Sequence, residues 1–312
     1  MGTWYAVRYV REAAAPSADE LAPKVEAELA AINAEFSTYL PDSTISRFNR
    51  AQSTEPFEVG EEFTSLLRTA LVIAEQSGGA YDPTIQPLVR LFGFGPVREV
   101  PDPTTGQIAA VRAHIGWRLV EIVDGTRIRK LDPALELDLS SIAKGAGVDR
   151  LSSLLGRLGC AAHMVEIGGE VVCRGRKPDG GGWRIGIEAP PAESGAEPGA
   201  PGRAVRRVVE LVHRAMATSG SYRNYHESGG TRMHHVIDAR TGTNAQHGVV
   251  SVSVEAADCA LADGLATALM LLGPDAAEPL LDAWASASPR ALFLIADGQG
   301  GVREVGLRWD ER

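Results

Sequence analysis

Apolar positions recur along this chain in two periods, and the changes between them mark the elements. Residues 3–10 alternate apolar and polar, as a strand with one buried face does. Leu21, Val25, Leu29, Ile32 and Phe36 then fall on one face of a helix. Pro23 stands within its first turns, where the ring is tolerated. A polar stretch through Asn49 follows, in which Asp42 or Ser43 can cap a short helix carrying Ile45 and Phe48. Tyr39 in that loop fits either edge packing or a stacking face for a ring. Phe63, Leu66, Leu67, Ala70 and Ala74 predict a second amphipathic helix, stopped at Ser77-Gly78-Gly79. Residues 80–84 and 91–96 are dense in Gly, Asp and aromatic residues, which fits a ligand wall as well as a packed structural loop.

Residues 104–114 read as a helix. Three strands are expected next, at 117–123, 126–131 and 135–139, with a hairpin turn at Asp124-Gly125. The third strand leads through a short turn into a helix reaching about residue 158, with Lys144, Gly145 and Gly147 near the junction. A helix N-terminus offers unpaired N–H groups and a positive dipole end that suit phosphate, and Lys144 would add a charge. Gly145 and Gly147 would let backbone and ligand approach closely. A strand-to-helix turn with a surface lysine fits the same residues. Two strands flank Gly168-Gly169 within 163–174, and another covers 183–188.

Residues 189–204 are rich in Pro, Ala, Gly and Glu and read as a flexible loop inside one domain spanning 1–312, because strand pattern resumes at 205–212. Residues 217–225 are polar, and a hairpin carries 234–242 into 249–254. A helix starts at Asp263, another covers about 275–287, and strands at 291–296 and 302–308 close the chain. Many hairpins with interspersed helices, rather than regular βαβ alternation, predict an α+β fold with mainly antiparallel sheet and flanking helices.

Composition narrows the function. Of 312 residues, 44% are hydrophobic, enough for a large core. Lys plus Arg number 31 and Asp plus Glu 40, a formal net charge of −9, which argues against a general nucleic-acid binder. Cys160, Cys173 and Cys259 are odd in number and far apart, so neither a disulfide framework nor a zinc site is indicated. The opening residues alternate like a strand rather than a signal peptide, and no apolar run reaches transmembrane length. A cytoplasmic protein is expected, with export or membrane association the alternative if an N-terminal signal has been removed.

Asp263 and Thr267 are four apart and share a helix face, so a carboxylate and a hydroxyl can reach one hard cation. An N-cap Asp with a buried Thr fits the same pair. Beyond single pairs, an ordered series of motifs resembles the FAD:protein FMN transferases of the ApbE type. It comprises Met1-Gly-Thr3, the residues 37–43 and 46–49, Gly79-Ala-Tyr-Asp-Pro83, residues 93–96, and Leu137-Asp-Leu-Ser-Ser-Ile-Ala-Lys-Gly145. It continues through Val165-Glu-Ile-Gly-Gly-Glu170, Trp183 to Glu188, Ala217-Thr-Ser-Gly220, Tyr222-Arg-Asn-Tyr225, His235-Val-Ile-Asp-Ala-Arg-Thr-Gly242 and Ala262-Asp-Gly-Leu-Ala-Thr-Ala268.

The resemblance implies a T-fold-related architecture and Mg²⁺-dependent transfer of FMN from FAD to a Thr or Ser hydroxyl of an acceptor flavoprotein subunit, with release of AMP. It places Asp263, Thr267 and the backbone carbonyl of Ser141 on Mg²⁺. It places Met1, Tyr39, Ala80, Tyr81, Asp82, Asp138, Lys144 and Ile237 around FAD, with Glu166, Ser219 and Arg223 as further pocket residues. His235 is the implied general base; its neighbour His234 is separated from it only by the family register. Family members are commonly exported or lipid-anchored. The same site residues are compatible with an FAD pyrophosphatase, in which water replaces the acceptor hydroxyl, and with a non-catalytic FAD-binding protein.

Overall fold

The computed structural model describes residues 2–13, 15–94, 103–190, 204–221, 225–228, 231–245, 247–299 and 301–309. The chain runs β1 (Tyr5–Tyr9), α1 (Ala18–Phe36), α2 (Thr44–Arg50), β2 (Phe57–Glu58), α3 (Glu61–Gln76), α4 (Gln86–Leu91), α5 (Thr105–Arg112), β3 (Val120–Ile122) and β4 (Arg127–Lys130). It continues with α6 (Ser140–Arg157), β5 (His163–Ile167), β6 (Glu170–Arg174), β7 (Trp183–Glu188), β8 (Val205–Leu211), β9 (Arg214–Gly220), β10 (Tyr225–Ser228) and β11 (Thr231–His234). Then come β12 (Val249–Ala256), α7 (Cys259–Leu272), α8 (Glu278–Ala283), β13 (Arg290–Ala296) and β14 (Val302–Leu307).

Seven strands form one sheet in the order β1-β5-β6-β9-β12-β13-β14, and every neighbouring pair is antiparallel. The pleat sends alternate residues to opposite faces. Val165, Ile167, Val172 and Ala215 pack with Leu21, Val25 and Leu29 of α1 and Val148, Leu151 and Leu155 of α6. Val252, Val254 and Phe293 pack with α3 and with Leu261, Leu265 and Leu269 of α7. The other face carries Met164, Val171, Cys173, Met216 and Leu292, covered by Trp183, Ile187, Val209 and Leu211 of the β7–β8 ribbon. The α+β class with mainly antiparallel sheet therefore holds.

Several boundaries differ from the periodicity. Residues 135–139 bury Leu135, Leu137 and Leu139 completely but lie in no sheet. The Asn49 side chain takes the place of a partner strand: its Nδ2 donates to the Leu137 carbonyl at 2.8 Å, and its Oδ1 accepts the Leu137 N–H at 2.7 Å. Residues 117–119 form a 3₁₀ turn ahead of β3. The helix expected over 275–287 is broken into two 3₁₀ turns around α8; Pro279, which has no N–H to donate, stands where the first turn gives way to α8. Strand β9 lies in the middle of the sheet, yet its Ala-Met-Ala-Thr-Ser-Gly run holds only one of the β-branched or aromatic residues that mark strands, Thr218. The flexible loop expected at 189–204 falls mostly on 191–203, outside the described residues.

Lys130, at the end of β4, is 1% exposed and donates to the carbonyls of Asn49 at 3.0 Å, Ala51 at 2.9 Å and Pro133 at 3.4 Å. Its ammonium ties α2 to the segment entering α6. Lys130→Met keeps the stem and strands those carbonyls, so it should cost about 2–4 kcal/mol in urea unfolding. The exposed Lys24→Met should stay within about 0.5 kcal/mol.

Candidate active site

Helix α6 begins at Ser140, so Lys144 stands a full turn inside the helix and not at a phosphate-cradling junction. Gly145 and Gly147 are helix-interior residues, and the partner that Gly145 admits is a second helix. A Cβ on Gly145 would lie 2.6 Å from the carbonyl carbon of Cys259 and 2.8 Å from Ala260 Cα. Helix α7 likewise begins earlier than expected. Asp258 caps it, accepting the Leu261 N–H at 2.9 Å, which puts Asp263 in the second turn and excludes the N-cap role. Asp149 of α6 accepts the N–H groups of Cys259 and Ala260, both at 2.8 Å through Oδ2, and burial raises its pKa to about 6.

This approach brings three charges together. Lys144 Nζ donates to Glu170 Oε1 and lies 3.6 Å from Asp263 Oδ1. Asp263 Oδ2 accepts the Gly145 N–H at 3.0 Å. In a regular helix that N–H is also the one aimed at the carbonyl of Ser141. The side chains of Glu170 and Asp263 are 3% and 4% exposed, whereas that of Lys144 is 33% exposed. Burial and Glu170 push Asp263 up, against the pull of Lys144. Burial alone would push Lys144 down, but Asp263 and Glu170 outweigh it and hold the lysine charged. The pKa of Asp263 is raised to about 7, so two carboxylates against one ammonium leave the cluster net negative once Asp263 is ionised.

Hydroxyls adjoin it. Ser219 of β9 faces the helices and lies 3.1 Å from Thr267 of α7, Oγ to Oγ1. Ser141 Oγ donates to Tyr81 Oη at 3.1 Å, and burial pushes the Tyr81 phenol up, so it stays neutral. Among the described residues no group of three or more His, Cys, Asp or Glu is arranged as a metal site. The resemblance assigns a hard cation to Asp263, the Thr267 hydroxyl and the Ser141 carbonyl, and α7 carries the first two four residues apart on one helix. Few protein oxygens and room for outside ligands is the donor set that Mg²⁺ prefers. The net negative cluster, and a Glu170 Oε2 that is buried without a hydrogen-bond partner, fit a cation nearby.

The remaining expected residues fall into two groups. Asp82 is engaged on both oxygens, accepting from Thr84 N–H at 2.8 Å, Thr84 Oγ1 at 2.7 Å and Trp117 N–H at 2.8 Å, so it shapes the wall rather than standing free. Asp138 accepts the Ser140 N–H at 2.7 Å as α6 begins, and burial raises both aspartates. The Ala80 carbonyl accepts the Ala239 N–H at 3.2 Å, joining this wall to the 235–243 turn, while Ile237 packs with Leu88 and Phe92. Tyr39 is 61% exposed on the loop between α1 and α2. Glu166 is not brought to the cluster: Val165 and Ile167 face the helices, so the pleat turns Glu166 to the ribbon side with Met164. Glu170, aligned with Val172, takes the helix side instead, and the sequence reading missed it. Its only signal was the period of two counted after the Gly168-Gly169 turn. Met1, Arg223, Gly95 and Pro96 lie outside the described residues.

The two histidines differ. The His235 ring packs edge-on to Phe94, with centroids 6.4 Å apart. His234 Nδ1 is buried without a partner, and burial, helped by His235 and His247, lowers its pKa to about 4. Asn244, also missed, fixes the backbone here, accepting the His234 N–H and donating to the His234 carbonyl, both at 2.8 Å.

An α+β fold here sets a lysine and buried carboxylates beside hydroxyls at one end of two welded helices, an arrangement with groups able to meet a phosphate and a hard cation. The sequence matches the ApbE family over residues 1–289. It is 40% identical over 277 residues to the FAD:protein FMN transferase of Vibrio cholerae, covering 88% of this chain and 80% of that protein. It is 36% identical over 266 residues to that of Escherichia coli K12, covering 84% and 74%. The solved flavin transferase ApbE from Vibrio cholerae superposes with a TM-score of 0.85 at 35% identity, covering 98% of this chain and 94% of that one. The apo flavinyl transferase ApbE of Pseudomonas stutzeri gives 0.84 at 37% identity, with 97% and 90% covered. The chain belongs to the ApbE family.

Gly145→Ala should force α6 off α7, costing more than about 2 kcal/mol in urea unfolding, because backbone cannot yield as a side chain does. Gly156→Ala, with nothing within 4 Å of its Cβ, should be neutral or gain up to about 1 kcal/mol. His234 makes a pH-dependent contribution. Its folded pKa lies below its unfolded one, so the stability is present above about pH 6.5 and lost as pH falls towards 4. Between pH 7 and 4.5, His234→Gln should lose about 2 kcal/mol less than the parent by chemical denaturation.

Proposed function

We propose that the protein transfers FMN from FAD to an acceptor protein. It is a transferase with FAD as its substrate. The observation that carries this reading is the Lys144–Glu170–Asp263 cluster, set beside Thr267, Ser219 and Ser141, in a family whose similar members are named for that activity.

The chemistry follows from the residue types. A Thr or Ser hydroxyl of the acceptor attacks the phosphorus on the FMN side of the FAD diphosphate. A new P–O bond forms, the bond to the AMP phosphate breaks, and AMP leaves with the bonding electrons. Such displacements depend on in-line positioning and charge stabilisation more than on covalent help from the enzyme. Lys144, charged and partly exposed above buried carboxylates, binds the diphosphate. Mg²⁺ held by Asp263, Thr267 and the Ser141 carbonyl would neutralise charge developing on the phosphates. His235 takes the hydroxyl proton. The low pKa of His234 supports this choice, because a base near pKa 4 is a poor proton acceptor at neutral pH. Tyr39, Tyr81, Asp82, Asp138 and Ile237 form the walls around FAD. Among the described residues no helix is long and apolar enough to cross a membrane. The acceptor is a flavoprotein subunit with a short Thr- or Ser-containing motif.

The test incubates the protein with FAD, Mg²⁺ and a flavin-accepting domain, and reads covalent fluorescence on a denaturing gel alongside AMP and free FMN. Labelled acceptor with AMP is expected. AMP and free FMN without labelled acceptor would instead show a pyrophosphatase, and FAD retained intact would show a binding protein. Asp263→Ala should lower turnover by about 10³-fold or more with the fold intact. His235→Ala should spare FAD binding and slow transfer by about 10²–10⁴-fold; loss of binding would make His235 a wall and not a base.

A further inference from the structure

Glu170 touches neither FAD nor the acceptor in the transfer proposed above, yet it is among the most deeply buried charges of the described residues. Its position is tightly set. It is the first residue of β6, paired with Ile167 across the Gly168-Gly169 turn. Gly168 has φ +62°, and a Cβ there would meet Thr3 Cγ2 at 2.9 Å and approach Glu170 Oε2 at 3.5 Å. The carboxylate is thus enclosed between the turn, the N-terminal segment and Lys144.

Lys144 has one charge and faces two buried carboxylates. It is hydrogen-bonded to Glu170 and stands off Asp263 at 3.6 Å. Without the Glu170 charge, Asp263 would be the nearest carboxylate, and at low local dielectric an ammonium moves onto such a partner. An ammonium seated on Asp263 would occupy the oxygen that a divalent cation needs and would repel that cation.

We propose that Glu170 is a positioning residue that holds the Lys144 ammonium off Asp263, leaving Asp263 open to a divalent cation and the ammonium turned to the diphosphate. This rests on the reading of Asp263 as a cation ligand. A carboxylate that merely neutralised a buried lysine would affect stability but not the cation requirement. The Lys144→Met background separates the proposed role from simple attraction between Glu170 and the cation.

The experiment measures Mn²⁺ affinity of the full chain without FAD, by the loss of the free-ion electron paramagnetic resonance signal. It compares the parent, Glu170→Gln, Lys144→Met and the double variant, with thermal melts of each. Glu170→Gln should weaken Mn²⁺ about tenfold, and the same change in the Lys144→Met background should weaken it less than about threefold. In turnover, Glu170→Gln should raise the Mg²⁺ concentration for half-maximal rate by more than it lowers the rate at saturating Mg²⁺. Equal Mn²⁺ affinity in parent and Glu170→Gln, or equal weakening in both backgrounds, overturns the proposal while leaving the transferase reading intact. A parent that binds no Mn²⁺, together with full turnover by Asp263→Ala, overturns the cation reading and the proposal with it. Should Glu170→Gln fail to fold, Glu170→Asp, which keeps the charge but retracts it by one methylene, should weaken Mn²⁺ in the same direction; unchanged affinity there overturns the proposal equally.

Discussion

The contact between α6 and α7 at Gly145 carries the rest of the site. Two helices approach until the Cα of one lies against the backbone of the other, which only a glycine allows. That closeness lets Asp263 reach across to the Gly145 N–H, and lets Asp149 take two N–H groups at the start of α7. A carboxylate as buried as Asp263 is costly, and the N–H, the neighbouring ammonium and the net field of the cluster together make it tolerable. Widening the gap by a single methyl group would remove the N–H from Asp263 and displace Lys144 from both carboxylates.

The sheet supplies the floor. Its pleat decides which side chains look towards the helices, and β9 is built from small residues because α7 lies directly over it. Ser219 reaches Thr267 because nothing larger stands between strand and helix. The loops supply the walls, and their rigidity comes from side chains that stand in for backbone. Asn49 pairs with Leu137 as a strand would, Asp82 gathers Thr84 and Trp117, Asn244 holds His234 and Val236, and Lys130 bridges three carbonyls. Such polar links position the site with little freedom, because each buried group left without its partner would cost free energy.

Function then follows from an imbalance. One partly exposed lysine among two buried carboxylates gives, on the proposed reading, a site for a cation beside an ammonium turned to the diphosphate. A diphosphate ester brings the complementary charges. Of the two adjacent histidines, burial drives His234 neutral with a pKa near 4, which favours its neighbour beside Phe94 as the proposed base.

Local pattern sufficed for the elements whose signal is local. The amphipathic stripes of α1 and α3, a cap at Asp42 or Ser43, the Asp124-Gly125 turn and the paired strands around Gly168-Gly169 follow from local spacing and turn residues, and the antiparallel class follows from their order. The motif series was equally legible, and with it Lys144, Asp263 and Thr267. Tertiary structure alone decided what depends on the approach of distant segments. It left residues 135–139 outside any sheet, with Asn49 completing the hydrogen bonds of Leu137 and the Pro83 carbonyl taking the Asp138 N–H. It made β9 a central strand despite weak propensity, because packing under α7 outweighs propensity. It placed Asp263 inside a helix capped by Asp258, and Gly145 against that helix rather than against a ligand. It also set Glu170 and not Glu166 beside Lys144, since the face of the sheet on which a residue emerges is set by register, and register is a relation between strands that no single stretch of sequence contains.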